Sequence, residues 1–521
     1  GRADAGLVNV VYGSAAGLSA TSVQDQRFFQ DYSAGTPESN IRDTSEVNDR
    51  FGAAVVAADF NGDGYSDLAA GVPEEDLAST ANAGAMNVIY GSPAGLSPAA
   101  VLANQIWSQD SAGVEDSIEP GDRFGAALAA DDFNGDGYAD LAIGVPNESI
   151  NGHPNAGSVN ILYGSASGLA ANSDQRFFQD TPGIADFSED DDHYGTSLMS
   201  GDHNGDGYSD LAIGATGEDI GSVTNAGALS VIYGSPAGLS PSNVLADQLW
   251  TGSSPGISDN LPAACPTPIA GIGNQGALAR GDFNGDGYDD VAFGAATHFA
   301  SEGGAGPCGH SFYGASGMLF VVYGSPSGLA ITVLRPDQVG RIDSIADFAR
   351  TVSAGDFNND GNDDLVASFA VFFPVAPGDL TGGGLGNVYV YHGSPAGLPE
   401  STFPSSAGLL AASQQWSQGD ATDDIEDRAE TQDHFGYAIA TDDFNGDTYA
   451  DIAVGVPGED LSPHATPYED LFEDQGAINT IYGSASGLSA TAVLLDQFWT
   501  QNTPSVEDSA ELGDNFGGVL R

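Results

Sequence analysis

A nine-residue loop recurs six times along this chain, and a chain that repeats one turn so often folds as a ring or stack of equivalent units. It reads D-F-N-G-D-G-Y-S-D from Asp59, D-F-N-G-D-G-Y-A-D from Asp132, D-H-N-G-D-G-Y-S-D from Asp202 and D-F-N-G-D-G-Y-D-D from Asp282. The fifth copy is D-F-N-N-D-G-N-D-D from Asp356, and the sixth is D-F-N-G-D-T-Y-A-D from Asp443. Oxygen-bearing side chains stand at positions 1, 3, 5 and 9 of each copy. They are Asp59, Asn61, Asp63 and Asp67; Asp132, Asn134, Asp136 and Asp140; and Asp202, Asn204, Asp206 and Asp210. The later copies supply Asp282, Asn284, Asp286 and Asp290; Asp356, Asn358, Asp360 and Asp364; and Asp443, Asn445, Asp447 and Asp451. A hard cation such as Ca²⁺ takes six to eight oxygens at about 2.3–2.6 Å, which a loop folded back on itself can supply.

Two further markers keep step with the loop. An apolar strand ending in G-S-x-x-G-L, as in Val10–Leu18 and Val88–Leu96, occurs seven times, with later copies at Tyr163, Tyr233, Tyr323, Tyr391 and Tyr482. An aromatic-Gly pair precedes the loop at Phe51-Gly52, Phe124-Gly125, Tyr194-Gly195 and Phe435-Gly436. The fourth unit has Asn274-Gln275 there, and the fifth has Phe348-Ala349. One unit therefore runs strand A (Phe51–Ala58), the loop, strand B (Asp67–Pro73), a variable loop, strand C (Ala85–Ser92) and strand D (about Gln105–Gln109). Four short strands per repeat predict an all-β chain, a β-propeller. The units fall at about 51–110, 124–180, 194–251, 276–338, 348–416 and 435–501. Residues 516–521 and 1–31 supply strands A, C and D of another, so the expectation is a seven-bladed propeller of four-stranded blades. In it the N- and C-terminal strands share one blade and leave no exposed edge.

The net charge is −61 and the twelve basic residues are all Arg. Nucleic acid is excluded as a partner, because almost nothing here could neutralise phosphates. The loops account for part of the acidity, and the remainder suits a solvated surface in a salty or Ca²⁺-rich medium. Cys265 and Cys308 are the two cysteines. In an exported protein they would form a disulfide, with about 4 kcal/mol of stabilisation in the chain-entropy picture; two free thiols are the alternative. The most apolar run, Leu365–Val375, is too short to span a membrane. A start at Gly1 rather than Met points to a portion of a longer precursor.

With F-G at Phe51-Gly52 and G-V-P at Gly71, Gly144 and Gly455, the repeats resemble the FG-GAP repeats of the integrin α-subunit head. The G-S-x-x-G-L extension is similar to that of bacterial FG-GAP proteins. The resemblance implies one structural Ca²⁺ per loop, about six in all, bound by the side chains above. The backbone carbonyls of Tyr65, Tyr138, Tyr208, Tyr288, Asn362 and Tyr449 would complete the sites. It also implies an extracellular, secreted or cell-surface protein with an adhesive or protein-binding role. Thr448 replaces a Gly where positive φ is expected, so the sixth site is expected to be strained.

Other motif matches carry less. Gly252–Gly256 matches G-x-S-x-G without the strand–turn–helix of a nucleophile elbow, and Gly271–Gly276 matches G-x-G-x-x-G without a βαβ context. Arg280-Gly281-Asp282 spells R-G-D, but Asp282 is committed to its loop. No His/Glu constellation signals catalysis, and the expectation is a protein without enzymatic activity. The Trp residues at 107, 250, 416 and 499 would line sugar sites in a propeller lectin, but core packing explains them more simply. Acidic segments at 115–122, 186–192, 423–433 and 507–514 read as solvated loops on one face, with a rim for cations or basic partners as the alternative. The long loops 297–317, 369–386 and 458–476 are where a ligand would dock, with the apolar run Phe369–Pro374 either a contact patch or a buried strand. The partner is then a protein or glycan at the cell surface or in the matrix. A homo-oligomeric filament is a further alternative, in which a neighbour's strand completes the incomplete blade.

Overall fold

The computed structural model describes residues 4–30, 41, 43–97, 102–221, 223–242, 245–255, 269–270, 278–298, 315–330, 340–341, 348–369, 386–398, 413–418, 425, 433–461, 475–492, 494–504, 506 and 514–520. All regular structure among them is β-strand. No helix among the described residues is long and apolar enough to cross a membrane.

The first blade shows how a repeat becomes a sheet. Val55–Ala58, Asp67–Val72, Ala85–Ile89 and Gln105–Trp107 pair antiparallel in chain order. Strand B is buried along its whole length, so it reads D-L-A-A-G-V without polar alternation after its first residue. A strand buried on both faces is a continuous apolar run. Its small residues admit the neighbouring blade: a Cβ added at Gly71 would lie 2.0 Å from the Gly125 carbonyl oxygen of blade two, and one at Gly144 would lie 2.1 Å from that of Gly195. The core accordingly lies between blades. Ala69, Met86 and Val88 of the first pack with Leu128, Leu141 and Ile143 of the second.

A side-chain latch joins each blade to the next. The Leu169 N–H donates to Tyr90 Oη at 3.1 Å, and Gln105 Nε2 donates to the Leu169 carbonyl at 3.0 Å. The G-S-x-x-G-L marker is thus an inter-blade device. Leu96 meets Tyr12, Leu329 meets Tyr233, and Leu398 meets Tyr323 in the same way.

Six sheets follow the four-position pattern. The seven-bladed expectation is therefore corrected to six. At the expected seventh position, among the described residues, Val8–Val10 pairs with Gln26–Phe28 alone, and Tyr12–Ser14 with Gly17–Ser19. This unit of two strand pairs sits between the sixth and first blades, because Leu18 N–H donates to Tyr482 and Leu96 N–H to Tyr12. Phe516 makes an isolated bridge to Gly476, as Phe124 does to Gly84, yet no strand follows it among the described residues. The reason is pairing order. In the regular blades strand A bonds only to strand B, and no strand B of this unit is present among the described residues, so its strands A and C do not share a sheet.

The fourth blade departs differently. Both Ile269–Ala270 and Leu278–Gly281 pair with Asp290–His298, so position A is split in two. The place of the missing aromatic-Gly pair, Asn274-Gln275, lies outside the described residues. Cys265, Cys308, the run 370–374 and most of the three long loops also lie outside them.

Candidate metal centres

Each Asp loop is drawn into a tight coil by its own side chains. Asp59 Oδ1 accepts from Gly62 N–H (2.7 Å) and Asp63 N–H (3.1 Å), and its Oδ2 accepts from Gly64 N–H (2.7 Å). Asn61 Oδ1 accepts from Asp63 N–H, and Asp63 Oδ1 from Tyr65 N–H. The same bonds recur in the second and third loops. Positive φ at position 6 makes the coil possible. The value is 87° at Gly64 and 78° at Thr448, so the sixth loop holds a β-branched residue in the left-handed region.

Position 9 is a buried anchor. Asp67 is fully buried, and its two oxygens accept from Phe60 N–H (3.0 Å) and from Gly91 N–H (2.7 Å) at the end of strand C. Asp140, Asp210, Asp290 and Asp451 repeat this with Gly164, Gly234, Gly324 and Gly483. Burial raises the Asp67 carboxyl to about 6, opposed by these two hydrogen bonds and reinforced by Asp59 and Asp63. Asp140, Asp210 and Asp290 rise to about 8 and Asp451 to about 7, again chiefly through burial, with the carboxylates at positions 1 and 5 adding to it. In each of these loops, then, three carboxylates act on one another. In the fifth, His392 Nδ1 bonds Asp364 at 2.9 Å, and Asn358 Oδ1 is buried without a partner among the described residues.

This oxygen-only donor set fits a hard divalent cation. Positions 1, 3, 5 and 9 would supply the side chains and position 7 a carbonyl. Adjacent loops are also stitched together. Ala139 N–H donates to the Asp59 carbonyl and Ser209 N–H to that of Asp132. The Tyr138 ring lies against Gly62, and the Tyr208 ring against Gly135.

The R-G-D tripeptide is engaged at both ends. Arg280 Nη1 donates to Asp131 at 2.6 Å, and Asp282 accepts from Asp286 and Gly287 N–H. The tryptophans pack into or against the apolar core, Trp416 and Trp499 at 7% exposure. The acidic segments 115–122 and 186–192 are not simply solvated, since Asp122 and Asp192 are buried, and most of 423–433 and 507–514 lies outside the described residues.

The FG-GAP repeat signature matches residues 51–85, 124–162, 194–232 and 435–478. Over 165 residues the chain is 34% identical to phosphatidylinositol-glycan-specific phospholipase D of Rattus norvegicus, a match covering 32% of this chain and 18% of that protein. It is 29% identical over 272 residues to integrin alpha-PS2 of Drosophila melanogaster, covering 50% of this chain and 16% of that protein. The chain thus spans less than a fifth of the length of these curated relatives. Among solved structures, rhamnogalacturonan lyase YesW aligns over 88% of this chain and 75% of its own, at 12% identity. Its TM-score of 0.33 is too low to support any functional argument.

Proposed function

We infer, for a chain that carries FG-GAP repeats, that it is a Ca²⁺-bound propeller acting outside the cell as a non-enzymatic adhesion or protein-interaction module. The observation that supports the metal is the buried Asp at position 9. At Asp67, Asp140, Asp210, Asp290 and Asp451 the carboxylates at positions 1 and 5 oppose ionisation. A divalent cation converts that mutual repulsion into shared coordination. The integrin relatives support a binding role. The activity in the phospholipase's name is not carried over, because the match spans 18% of that protein.

Chelation tests the metal. About six Ca²⁺ per chain by elemental analysis, and a melting temperature more than 10 °C lower in excess EGTA, are expected; an unchanged melting curve would sink the reading. Turnover of a glycosylphosphatidylinositol substrate by the purified chain would overturn its non-enzymatic part. A glycan array separates the ligand classes, since saturable binding of one sugar class would replace the protein-interaction reading with a lectin.

A further inference from the structure

At the far end of strand B from the Asp loops, the repeats build a second acidic cluster that the FG-GAP signature does not account for. In the first blade Glu46, Asp49 and Glu75 each place a carboxylate oxygen within 4.8 Å of the others, and in the second Glu119, Asp122 and Glu148 do the same. Strand B is six residues long, so the two ends lie about 20 Å apart at ~3.3 Å per residue.

A buried glutamine closes each cluster. Gln30 Nε2 donates to Glu75 Oε2 at 2.8 Å, and Gln109 Nε2 donates to Glu148 Oε2 at 2.5 Å. Both glutamines are 1% exposed, and their Oε1 atoms are buried with no hydrogen-bond partner among the described residues. The two amide heteroatoms share one carbon, so the orphan Oε1 lies one amide width, about 2.2 Å, from the Nε2 that bonds the cluster's glutamate. A buried, unpartnered acceptor beside three carboxylates is costly unless a positive group lies between them.

The repeats supply an internal control. Glu-x-x-Asp before the aromatic-Gly position and Glu four residues after the strand-B Gly occur together in units one, two, three and six. Units four and five have neither, with His298 and Phe372 at the second Glu position. The Gln goes with them: it stands at 30, 109, 179 and 418, while Gly252 takes its place ahead of the fourth unit. These four residues from three loops recur together, and in units one and two, though not in unit three, three of their carboxylate oxygens close to within 4.8 Å among the described residues.

We propose that Glu46, Asp49, Glu75 and Gln30, and likewise Glu119, Asp122, Glu148 and Gln109, each bind a hard divalent cation between neighbouring blades. The donors are all oxygens, which selects Ca²⁺, Mg²⁺ or Mn²⁺ over softer metals. The first site is the tighter. Glu75 is opposed by Asp43, Asp49 and Glu46 and Glu148 by Asp116 and Asp122, but Glu148 also has Arg176 at 3.3 Å, a positive charge that competes with a cation.

Crystals grown in MnCl₂ and measured at the manganese absorption edge decide the matter. An anomalous peak enclosed by Glu46, Asp49, Glu75 and Gln30 Oε1 is expected, with a second at Glu148. The double variant E75Q/E148Q should lose both peaks and bind two fewer Mn²⁺ per chain in equilibrium dialysis, while the variant D59N/D63N keeps them. Absence of density at both clusters in saturating Mn²⁺, or a protonated Glu75 donating to a flipped Gln30 amide, would overturn the proposal. The wild-type map is decisive even if the variants fail to fold. Peaks at the Asp loops are read separately, so the two metal assignments stand or fall independently.

Discussion

Thr448 shows what one side chain can cost. It holds φ at 78° where the first loop has Gly64 at 87°, and strain of this kind costs about 1–3 kcal/mol for a non-Gly residue. Its Oγ1 accepts from Asn359 at 2.7 Å, an exposed bond that offsets little. Thr448→Gly is therefore expected to raise stability by about 1 kcal/mol in denaturant unfolding and to tighten Ca²⁺ binding at the sixth loop. Tyr90 is the opposite case. Its Oη donates to Gln105 and accepts from Leu169 N–H, and burial raises its pKa well above the usual phenol. Tyr90→Phe leaves a buried N–H unpaired, for an expected loss of about 2 kcal/mol with the blade count unchanged. The strain at Thr448 could be read from its place in a Gly-rich repeat. The role of Tyr90 could not, because Leu169 lies 79 residues away.

Among the elements, strand B bears the tightest constraint. Its run of small apolar residues marks it as buried, but does not say that the next blade's backbone passes over Gly144. A Cβ there would lie 2.1 Å from the Gly195 carbonyl. Gly144→Ala must push two blades apart, and a loss of 2 kcal/mol or more (roughly the upper range for overpacking) is expected by chemical denaturation. Gly137→Ala serves as the comparison, since a Cβ there meets nothing within 4 Å and its φ of 87° supplies the whole cost. The split first strand of the fourth blade was hidden from the sequence. Periodicity reports burial along one strand, not which two short segments share an edge.

For the whole molecule, charge sets the behaviour. With a net charge of −61, self-repulsion opposes the compact ring wherever cations are removed. In excess EGTA, raising NaCl from about 0.05 M to 1 M is expected to restore part of the lost melting temperature, as the Debye length falls to ~3 Å. Scanning calorimetry across that range checks it; a salt-independent melt would show that site-specific coordination, not general repulsion, holds the ring.

The all-β class, the six Asp loops and their oxygen-bearing side chains are legible in the residues alone, because each loop closes within nine consecutive residues. So is the order of strands in every regular blade, since each pairs with its neighbour along the chain. Only the tertiary structure decided that there are five four-stranded blades, a five-stranded variant at position four with its first strand split in two, and a remnant of two strand pairs, because a strand needs its particular partner and not merely a matching motif. Only it brought Gln30, Glu46, Asp49 and Glu75 together from separate loops. Those contacts cross blade boundaries, where repeat spacing records which residues recur but not which ones meet.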